Sequence, residues 1–390
     1  MSGEIMRTFL FTACFATFLT VFSSSMLNVA LPSIMEHFHV SQAVAAWIVS
    51  AYLVLYATLM PVAGILSDRW GKKRIFVIGM MLFALGTAMA SISNSFSYLV
   101  LARSVQGTGA AAVFPAGASM IRENFAGKSG KALSLLSASA SAGLLLGPPL
   151  SGYLLEITDY RGLFILTLPL AVITLFTAVV CLSNTSVKHE TKPTALKDTE
   201  SRPFYKEATY IAVIIVVVCQ NFIARGLGIM MPLQLIRDFH LSTSQTGSLA
   251  MGFPLALLLA SPLGGYLTDK KGYRIPVTAG SVILMIALAL LSLKMFSATI
   301  TLMALFVVMG VGFGLTISPL TVGSMENASE KDSAKASSFF GLARQLGGAS
   351  GAAITPLIEG DNIVVYRYLA VLQLLALIIF IALSRDKNSS

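Results

Sequence analysis

The sequence GILSDRWGKKRI occupies residues 64–75, and a near copy, GYLTDKKGYRI, occupies residues 265–275. The two copies are 201 positions apart, and the same register relates FHVS at 38–41 to FHLS at 239–242. An internal repeat over such a long interval indicates a chain built from two similar halves. The fold must therefore explain why a polar, charged loop occurs once in each half.

The rest of the chain is strongly apolar. Hydrophobic residues make up 55% and charged residues only 12% of the sequence, whereas roughly a quarter of the residues of a soluble protein are charged. Windows of about 20 apolar residues recur, each long enough to cross the hydrocarbon core as a helix. We predict an all-α polytopic membrane protein with twelve transmembrane helices in two pseudo-symmetric six-helix bundles. The predicted spans are residues 9–31, 44–66, 75–93, 97–120, 132–155, 162–183, 208–231, 243–267, 275–294, 298–320, 336–358 and 363–384.

One connection is long and polar, and it divides the chain. We predict an N-terminal six-helix bundle at 1–183, a cytoplasmic linker at 184–207 and a C-terminal six-helix bundle at 208–390. If the N-terminus is cytoplasmic, 20 of the 27 lysines and arginines lie on that side, as the positive-inside rule requires. We therefore expect both termini in the cytoplasm. The net charge of +9 reflects this bias, so it predicts no nucleic-acid partner.

Three further motifs lie within the predicted spans. The stretch LARSVQGTGAAA (101–112) carries an arginine in the fourth span, GLLLGPPLSG (143–152) ends the fifth span, and MLNVALP (26–32) lies in the first. With the loop at 64–75, these stretches resemble the motifs of the major facilitator superfamily over essentially the whole chain. The fifth-span motif is similar to that of drug/proton antiporter-like exporters. MLNVALP resembles the 14-span exporters, but the short linker leaves no room for two extra spans.

The resemblance implies a function as well as the fold of that family. It implies a secondary active efflux transporter of small amphipathic molecules, of the multidrug type, working by alternating access and driven by the proton gradient without a cofactor. We expect a monomer in the cytoplasmic membrane whose partners are its small-molecule substrate and the bilayer. A dedicated exporter of an anionic or zwitterionic metabolite, such as a siderophore, and a non-transporting receptor are the alternatives. No nucleophile–base pair or metal-ligand set suggests an enzyme.

The repeated loops are candidates for a cytoplasmic gating latch, closed when the substrate pocket faces outward. We predict that Asp68 and Arg69 pair with Arg122 and Glu123 at the end of the fourth span. Two glycines are expected to permit close helix approach and two to form tight turns. An ordinary positively charged loop is the alternative. The candidate latch residues are Gly64, Asp68, Arg69, Gly71, Arg122, Glu123, Gly265, Asp269 and Gly272.

The fifth span ends in small residues and prolines, which favour close helix packing and a bend. The resemblance places this seam against the second half, where it would seal the cavity; generic small-residue packing is the alternative. The seam residues are Gly143, Gly147, Pro148 and Gly152.

Three arginines fall inside predicted spans, where such a residue costs about 2.5–3.5 kcal/mol or more and usually faces a cavity. A guanidinium that satisfies carbonyls at a helix contact is the alternative. Aromatic residues near them would suit a loose apolar pocket, although packing is the alternative for each. The candidate cavity residues are Asn28, Arg103, Gln106, Asn221, Arg225, Arg344, Gln345, Phe22, Tyr52 and Phe114.

All 18 acidic residues fall in loops or at span ends. A buried carboxylate is the usual proton carrier of an antiporter, and the 14-span exporters lead us to expect an acid where this chain has Ser23. Coupling through Asp68, Glu123 or Glu156 stays open. A cavity with cations and no acids predicts a preference for anionic, zwitterionic or neutral substrates over lipophilic dications.

Overall fold

The computed structural model describes residues 3–125, 129–183, 207–293, 299–326, 330–358 and 362–384. Within these ranges the chain is helical and has no strand. The predicted linker lies outside them, except for Glu207. The helices are α1 (Gly3–Phe38), α2 (Gln42–Ala45), α3 (Trp47–Trp70), α4 (Lys72–Ser91), α5 (Phe96–Asn124), α6 (Ser129–Ile157), α7 (Tyr160–Ser183), α8 (Ala208–Arg237), α9 (Thr243–Ala250), α10 (Gly252–Lys271), α11 (Arg274–Leu291), α12 (Thr299–Gly323), α13 (Glu330–Ile354) and α14 (Asn362–Ser384), with a short 3-10 helix at Thr355–Leu357.

The helices agree with the predicted membrane spans. Among the described residues, ten segments are long and apolar enough to cross a membrane, with α2 and α3 forming one and α9 and α10 another. The two remaining spans are α5 and α13, which are more polar because α5 contains Arg103 and Arg122 and α13 begins with EKDSAK. The predicted twelve-helix membrane fold is confirmed.

The repeat is visible in the backbone torsion angles. Among the described residues, His39 (φ 51°) and His240 (φ 53°) are the non-glycine residues with positive φ, and they lie at equivalent positions. Each follows a long helix and precedes a serine, Ser41 or Ser242, whose hydroxyl accepts a backbone N–H of the next helix. The same turn and helix cap therefore occur in both halves.

Equivalent glycines bring helices into backbone contact in each half. A Cβ on Gly109 of α5 would lie 2.5 Å from the carbonyl oxygen of Gly79 on α4. A Cβ on Gly280 of α11 would lie 2.5 Å from the carbonyl oxygen of Gly312 on α12. These distances leave no room for a side chain, so each glycine is required by close helix packing.

The packing of the helices divides the chain into two compact units. Unit 1 comprises Met1–Val187 and Met231–Met251, and unit 2 comprises Lys188–Met230 and Gly252–Ser390. The C-terminal end of α8 and all of α9 thus belong to unit 1 by their packing, although they follow the linker in sequence. The bundle boundaries at 183 and 208 stay a prediction about the two halves of the sequence.

Candidate functional site

Arg103 lies on a buried face of α5 with Gln106, three residues later, on the same side of the helix. Both side chains are 0% exposed. Arg103 donates from Nη1 to Oε1 of Gln106 and from Nε to the carbonyl oxygen of Ile48, at 3.3 Å. Its Cζ lies 4.2 Å from the ring centroid of Tyr52, whose hydroxyl donates to the carbonyl oxygen of Thr20 at 2.9 Å. Hydrogen bonds and an aromatic face therefore fix the guanidinium.

Gln106 connects this pair to two more helices. Its Nε2 atom donates to Oγ of Ser23 on α1 at 3.1 Å and to Oγ1 of Thr87 on α4 at 2.8 Å. The structure thus places position 23, where the resemblance to 14-span exporters predicts an acid, against Gln106. We call Arg103, Gln106, Tyr52, Ser23 and Thr87 the Arg103 network.

The charge of Arg103 has no acidic partner in the described part of the chain. No carboxylate there forms an ion pair with it, and its buried Nη2 atom has no hydrogen-bond partner among those residues. Stacking on Tyr52 offsets part of the burial cost, by about 0.5–2 kcal/mol. Because the side chain is enclosed, a substrate could reach it only if the network opened.

The other predicted cavity residues of unit 1 are Phe22, Asn28 and Phe114, and they lie outside the Arg103 network. Phe22 is buried and stacks on Phe18, with ring centroids 5.1 Å apart. Both rings line an apolar cavity of about 520 Å³ with residues of α6 and α7. Asn28 and Phe114 are half-buried. The cavity beside Phe22 is therefore apolar and separate from the hydrogen bonds of Arg103.

In unit 2 the predicted polar residues lie on two helices that pack together. Asn221 and Arg225 belong to α8, and Arg344 and Gln345 belong to α13. The Arg225 stem lies across Gly348 of α13, where a Cβ would be 3.0 Å from Arg225 Cγ. Arg344 is exposed and the other three predicted residues are half-buried. The structure thus places the two arginines on one helix pair.

A buried polar cluster in unit 2 was not among the predicted site residues. Gln220 of α8 donates from Nε2 to Oγ of Ser281 at 3.2 Å and accepts from Oγ1 of Thr316 at 2.7 Å. All three side chains are almost completely buried. A glutamine inside the apolar run VVVCQNF is the sequence signal for it, but the partners lie 61 and 96 residues away.

The first polar loop forms one ion pair, and its partners differ from the prediction. Glu123 at the end of α5 pairs with Lys72 at the start of α4, rather than with Arg69. Asp68, Arg69 and Arg122 are exposed. In the described ranges Asp68 makes no hydrogen bond or ion pair, so the latch in this conformation is a single partly exposed pair.

The glycines of the two loops have different roles. Gly71 (φ 95°) and Gly272 (φ 75°) have positive φ, so the predicted tight turns are confirmed. The predicted close helix approach at Gly64 is wrong, because a Cβ there would meet no atom within 4 Å. In the second copy the close contact falls one residue earlier, at Gly264, where a Cβ would lie 2.6 Å from the carbonyl oxygen of Leu315. One residue turns the contact face by about 100°.

The second loop has a phenol where the first has a lysine. Tyr273 is equivalent to Lys72, and Glu326 lies close to the position equivalent to Glu123. Burial raises the pKa of the Tyr273 phenol, and the nearby charges of Arg274 and Glu326 act on it in opposite directions, the first lowering and the second raising it. Asp269 is exposed and, in the part of the chain that is described, forms no ion pair. Among the described residues, the second copy thus has no counterpart of the Lys72–Glu123 ion pair.

The first half of the α6 seam packs against α1. A Cβ on Gly143 would lie 2.6 Å from the carbonyl oxygen of Phe18, and one on Gly147 would overlap Oγ of Ser25. Ser25 donates to the carbonyl oxygen of Gly143 at 2.9 Å. These two glycines therefore serve packing inside the N-terminal half rather than contact with the second half.

The end of the seam packs against α9, which follows the linker in sequence. Oγ1 of Thr243 donates to the carbonyl oxygen of Gly152 at 3.0 Å. A Cβ on Gly152 would overlap the Thr243 carbonyl oxygen, and one on Gly247 would overlap that of Pro148. The seam therefore meets the second half of the sequence at Pro148 and Gly152.

Glu156, one turn after the seam, also contacts α9. Its carboxylate accepts a hydrogen bond from the backbone N–H of Ser244 at 3.2 Å. A negative charge at a helix N-terminus is favourable, by about 0.3–1 kcal/mol at an exposed position. Its partner is thus a backbone amide.

Comparison with known proteins gives consistent matches. The family model described as Major Facilitator Superfamily matches residues 13–352 and 211–389. The riboflavin transporter RibZ of Clostridioides difficile is 24% identical over 87% of this chain and 85% of its own length. The multidrug resistance protein Stp of Mycobacterium tuberculosis is 25% identical over 86% of this chain and 73% of its own.

Solved structures share the fold. A bacterial homolog of the human lysosomal transporter Spinster, in an inward-facing and occupied conformation, superposes with a TM-score of 0.82 at 15% identity. The match covers 99% of this chain and 98% of the other.

Proposed function

This chain belongs to the major facilitator superfamily, and on that premise we propose that it exports small amphipathic molecules from the cytoplasm by alternating access, driven by the proton gradient. It is a multi-pass membrane transporter and not an enzyme. We place it in the cytoplasmic membrane as a monomer. The bias of the basic residues supports an orientation with both termini inside.

One observation carries the proposal of export. The end of the α6 seam, which resembles the fifth-span motif of exporters, meets α9 through backbone contacts at Pro148 and Gly152. A contact without intervening side chains excludes water and ions, as a closed gate must. Relatives include a protein named for multidrug resistance and one named for cephamycin export, which supports the same direction.

The proton pathway would differ from one based on a deep carboxylate. The position expected to carry an acid is occupied by the neutral Ser23, which contacts Gln106 beside Arg103. Two of the three carboxylates for which coupling stays open have defined partners: Glu123 pairs with Lys72, and Glu156 accepts from the Ser244 amide. Protonation of Glu123 would weaken its ion pair with Lys72, and protonation of Glu156 would weaken its hydrogen bond with the Ser244 amide. The proton gradient would act on the transport cycle by weakening one of these contacts.

A second candidate function is export of one anionic or zwitterionic metabolite. It is favoured by the arginines at Arg103, Arg225 and Arg344, because no acid occurs within the spans that carry them.

Flux measurements in proteoliposomes test the proposal. The purified protein is reconstituted, a pH gradient is imposed, and transport of anionic, neutral and cationic dyes is followed by fluorescence. We expect gradient-driven transport of several dyes. Transport of one anion class alone would favour the metabolite exporter, and rates that do not respond to the gradient would contradict proton antiport.

A further inference from the structure

The two tryptophans of the chain lie at opposite ends of α3. Trp47 is the first residue of the helix and Trp70 is the last, and their side chains are 55% and 59% exposed. At 1.5 Å per residue they lie about 35 Å apart along the helix axis, slightly more than the hydrocarbon thickness of roughly 30 Å. Tryptophans are enriched at both membrane–water interfaces. We therefore expect each indole ring to lie at the depth of the lipid headgroups.

The exposed side of α3 between the tryptophans is apolar. Val54, Val62 and Ile65 are exposed, and no charged residue occurs between positions 47 and 68. By helical periodicity these three side chains share one side of α3 with Trp47 and Arg69. An exposed apolar side on a membrane-spanning helix favours contact with acyl chains. This side of α3 therefore leads from acyl-chain depth to a basic residue next to Trp70.

Basic residues surround Trp70 but not Trp47. No lysine or arginine lies within ten positions of Trp47. The basic residues within four positions of Trp70 are Arg69, Lys72, Lys73 and Arg74. The chain turns sharply between them, because the N–H of Gly71 donates to the carbonyl oxygen of Ser67 and the Gly71 carbonyl oxygen accepts from Ile75. The bases are therefore collected at the junction of α3 and α4.

The positive charge at this junction is only partly compensated. Residues 68–74 and 122–123 carry five bases and two acids, a net charge of +3. Glu123 is engaged by Lys72. Among the described residues, Arg69, Lys73 and Arg74 form no ion pair and no side-chain hydrogen bond. Three cations next to an interfacial indole ring are thus available to an anion.

The second polar loop differs in this respect. Nζ of Lys270 lies 4.6 Å from the ring centroid of Tyr266, and Cζ of Arg274 lies 6.0 Å from that of Tyr273. Both cations therefore contact an aromatic ring of their own loop. Lys270 is exposed, like Arg74 in the first loop, and provides a matched comparison.

We propose that the surface formed by Arg69, Trp70, Lys73 and Arg74, which we call the Trp70 patch, binds the headgroup of an anionic phospholipid such as phosphatidylglycerol. Each base near a membrane surface strengthens the binding of anionic lipid about fivefold, which corresponds to about 1 kcal/mol. A phospholipid also has acyl chains for the apolar side of α3 and an interfacial region for the indole ring. A free phosphate ester would engage the bases alone. In the orientation proposed above, the lipid belongs to the cytoplasmic leaflet.

Tryptophan fluorescence tests the patch, because Trp47→Phe leaves Trp70 as the only tryptophan. This variant is reconstituted in phosphatidylcholine vesicles, and part of the lipid is replaced by brominated phosphatidylglycerol or brominated phosphatidylcholine, whose bromine atoms quench a neighbouring indole ring. We expect phosphatidylglycerol to associate at Trp70 at least fivefold more strongly than phosphatidylcholine. Adding Lys73→Gln and Arg74→Gln should bring this ratio close to one, because Asp68 then balances Arg69.

Two controls accompany this measurement. Trp70→Phe leaves Trp47 as the only tryptophan, and the two brominated lipids should quench it equally because no base lies near it in sequence. Lys270→Gln, added to Trp47→Phe, removes a base that already contacts Tyr266. It should leave the lipid ratio at Trp70 unchanged.

Equal quenching of Trp70 by the two lipids would overturn the proposal. Weak quenching by both lipids would also overturn it, since the ring would then lie outside the bilayer. A ratio that falls as far in Lys270→Gln as in the patch variant would assign the preference to the net charge of the protein and not to the patch. Loss of the preference on addition of glycerol 3-phosphate would identify a site for free phosphate esters and overturn the lipid assignment. Because no transport is measured, failure of the proposed function would leave this result unaffected.

Discussion

Replacement of Gly152 by alanine tests the contact between α6 and α9. The added Cβ would overlap the carbonyl oxygen of Thr243 and would lie 2.9 Å from its carbonyl carbon and 3.0 Å from Cα of Ser244. All of these are backbone atoms, so no side-chain rotation can relieve the clash. The helices must separate instead.

The size of the effect follows from these distances. Carbon atoms pack at about 3.5–4.0 Å, so the helices would move apart by roughly 0.5–1 Å, a gap that forfeits a quarter to a half of each contact energy. Overpacking of this kind costs about 1–3 kcal/mol. Weakening of the Thr243–Gly152 hydrogen bond adds about 1 kcal/mol. We expect Gly152→Ala to destabilise the protein by about 2–4 kcal/mol.

Thermal unfolding of the purified protein, followed by tryptophan fluorescence, measures the change. Gly341→Ala is the control, because a Cβ at Gly341 of α13 would meet no atom within 4 Å. Thr243→Val removes the hydrogen bond without the clash and should cost only about 1 kcal/mol. The reasoning is refuted if Gly152→Ala unfolds at the same temperature as wild type, or no lower than Thr243→Val.

Three further substitutions test other parts of the structure. Arg103→Lys should abolish dye export, because the ammonium of lysine cannot reproduce the planar fork that donates to Gln106 and to the carbonyl oxygen of Ile48. Normal export would contradict a positioning role for the guanidinium. Glu123→Lys should slow transport, and the exchange variant that also carries Lys72→Glu should restore it. The Lys72–Glu123 pair contributes only about 0–1 kcal/mol to stability, so the transport rate is the quantity to compare. An exchange variant that transports as slowly as Glu123→Lys counts against the latch. Gly71→Ala should introduce backbone strain of about 1–3 kcal/mol and so lower the midpoint temperature of unfolding. A midpoint shift no larger than that of the control Gly341→Ala would exclude this strain.

Local rules were enough to predict much of this protein from its sequence. The lengths of the apolar runs determined the twelve spans, because a bilayer of fixed thickness accepts few other lengths. Positive φ at Gly71 and Gly272 follows from the sharp turn between two spans. The matched FHVS and FHLS segments have the same left-handed histidine and serine cap. Each of these features depends on a few neighbouring residues.

The tertiary structure alone decided which side of each helix meets a partner. The spacing of the sequence does not show whether Gly264 or Gly265 makes the close helix contact, or that Lys72 is the partner of Glu123. One residue turns a helix face by about 100°, so a shift of one position changes the partner. Arg103 and Arg344 looked alike as arginines in apolar runs, yet packing encloses the first and leaves the second exposed. The sequence by itself determined that this protein is a duplicated helical transporter. Contacts between residues distant in sequence decided which of its charges are buried and which are exposed.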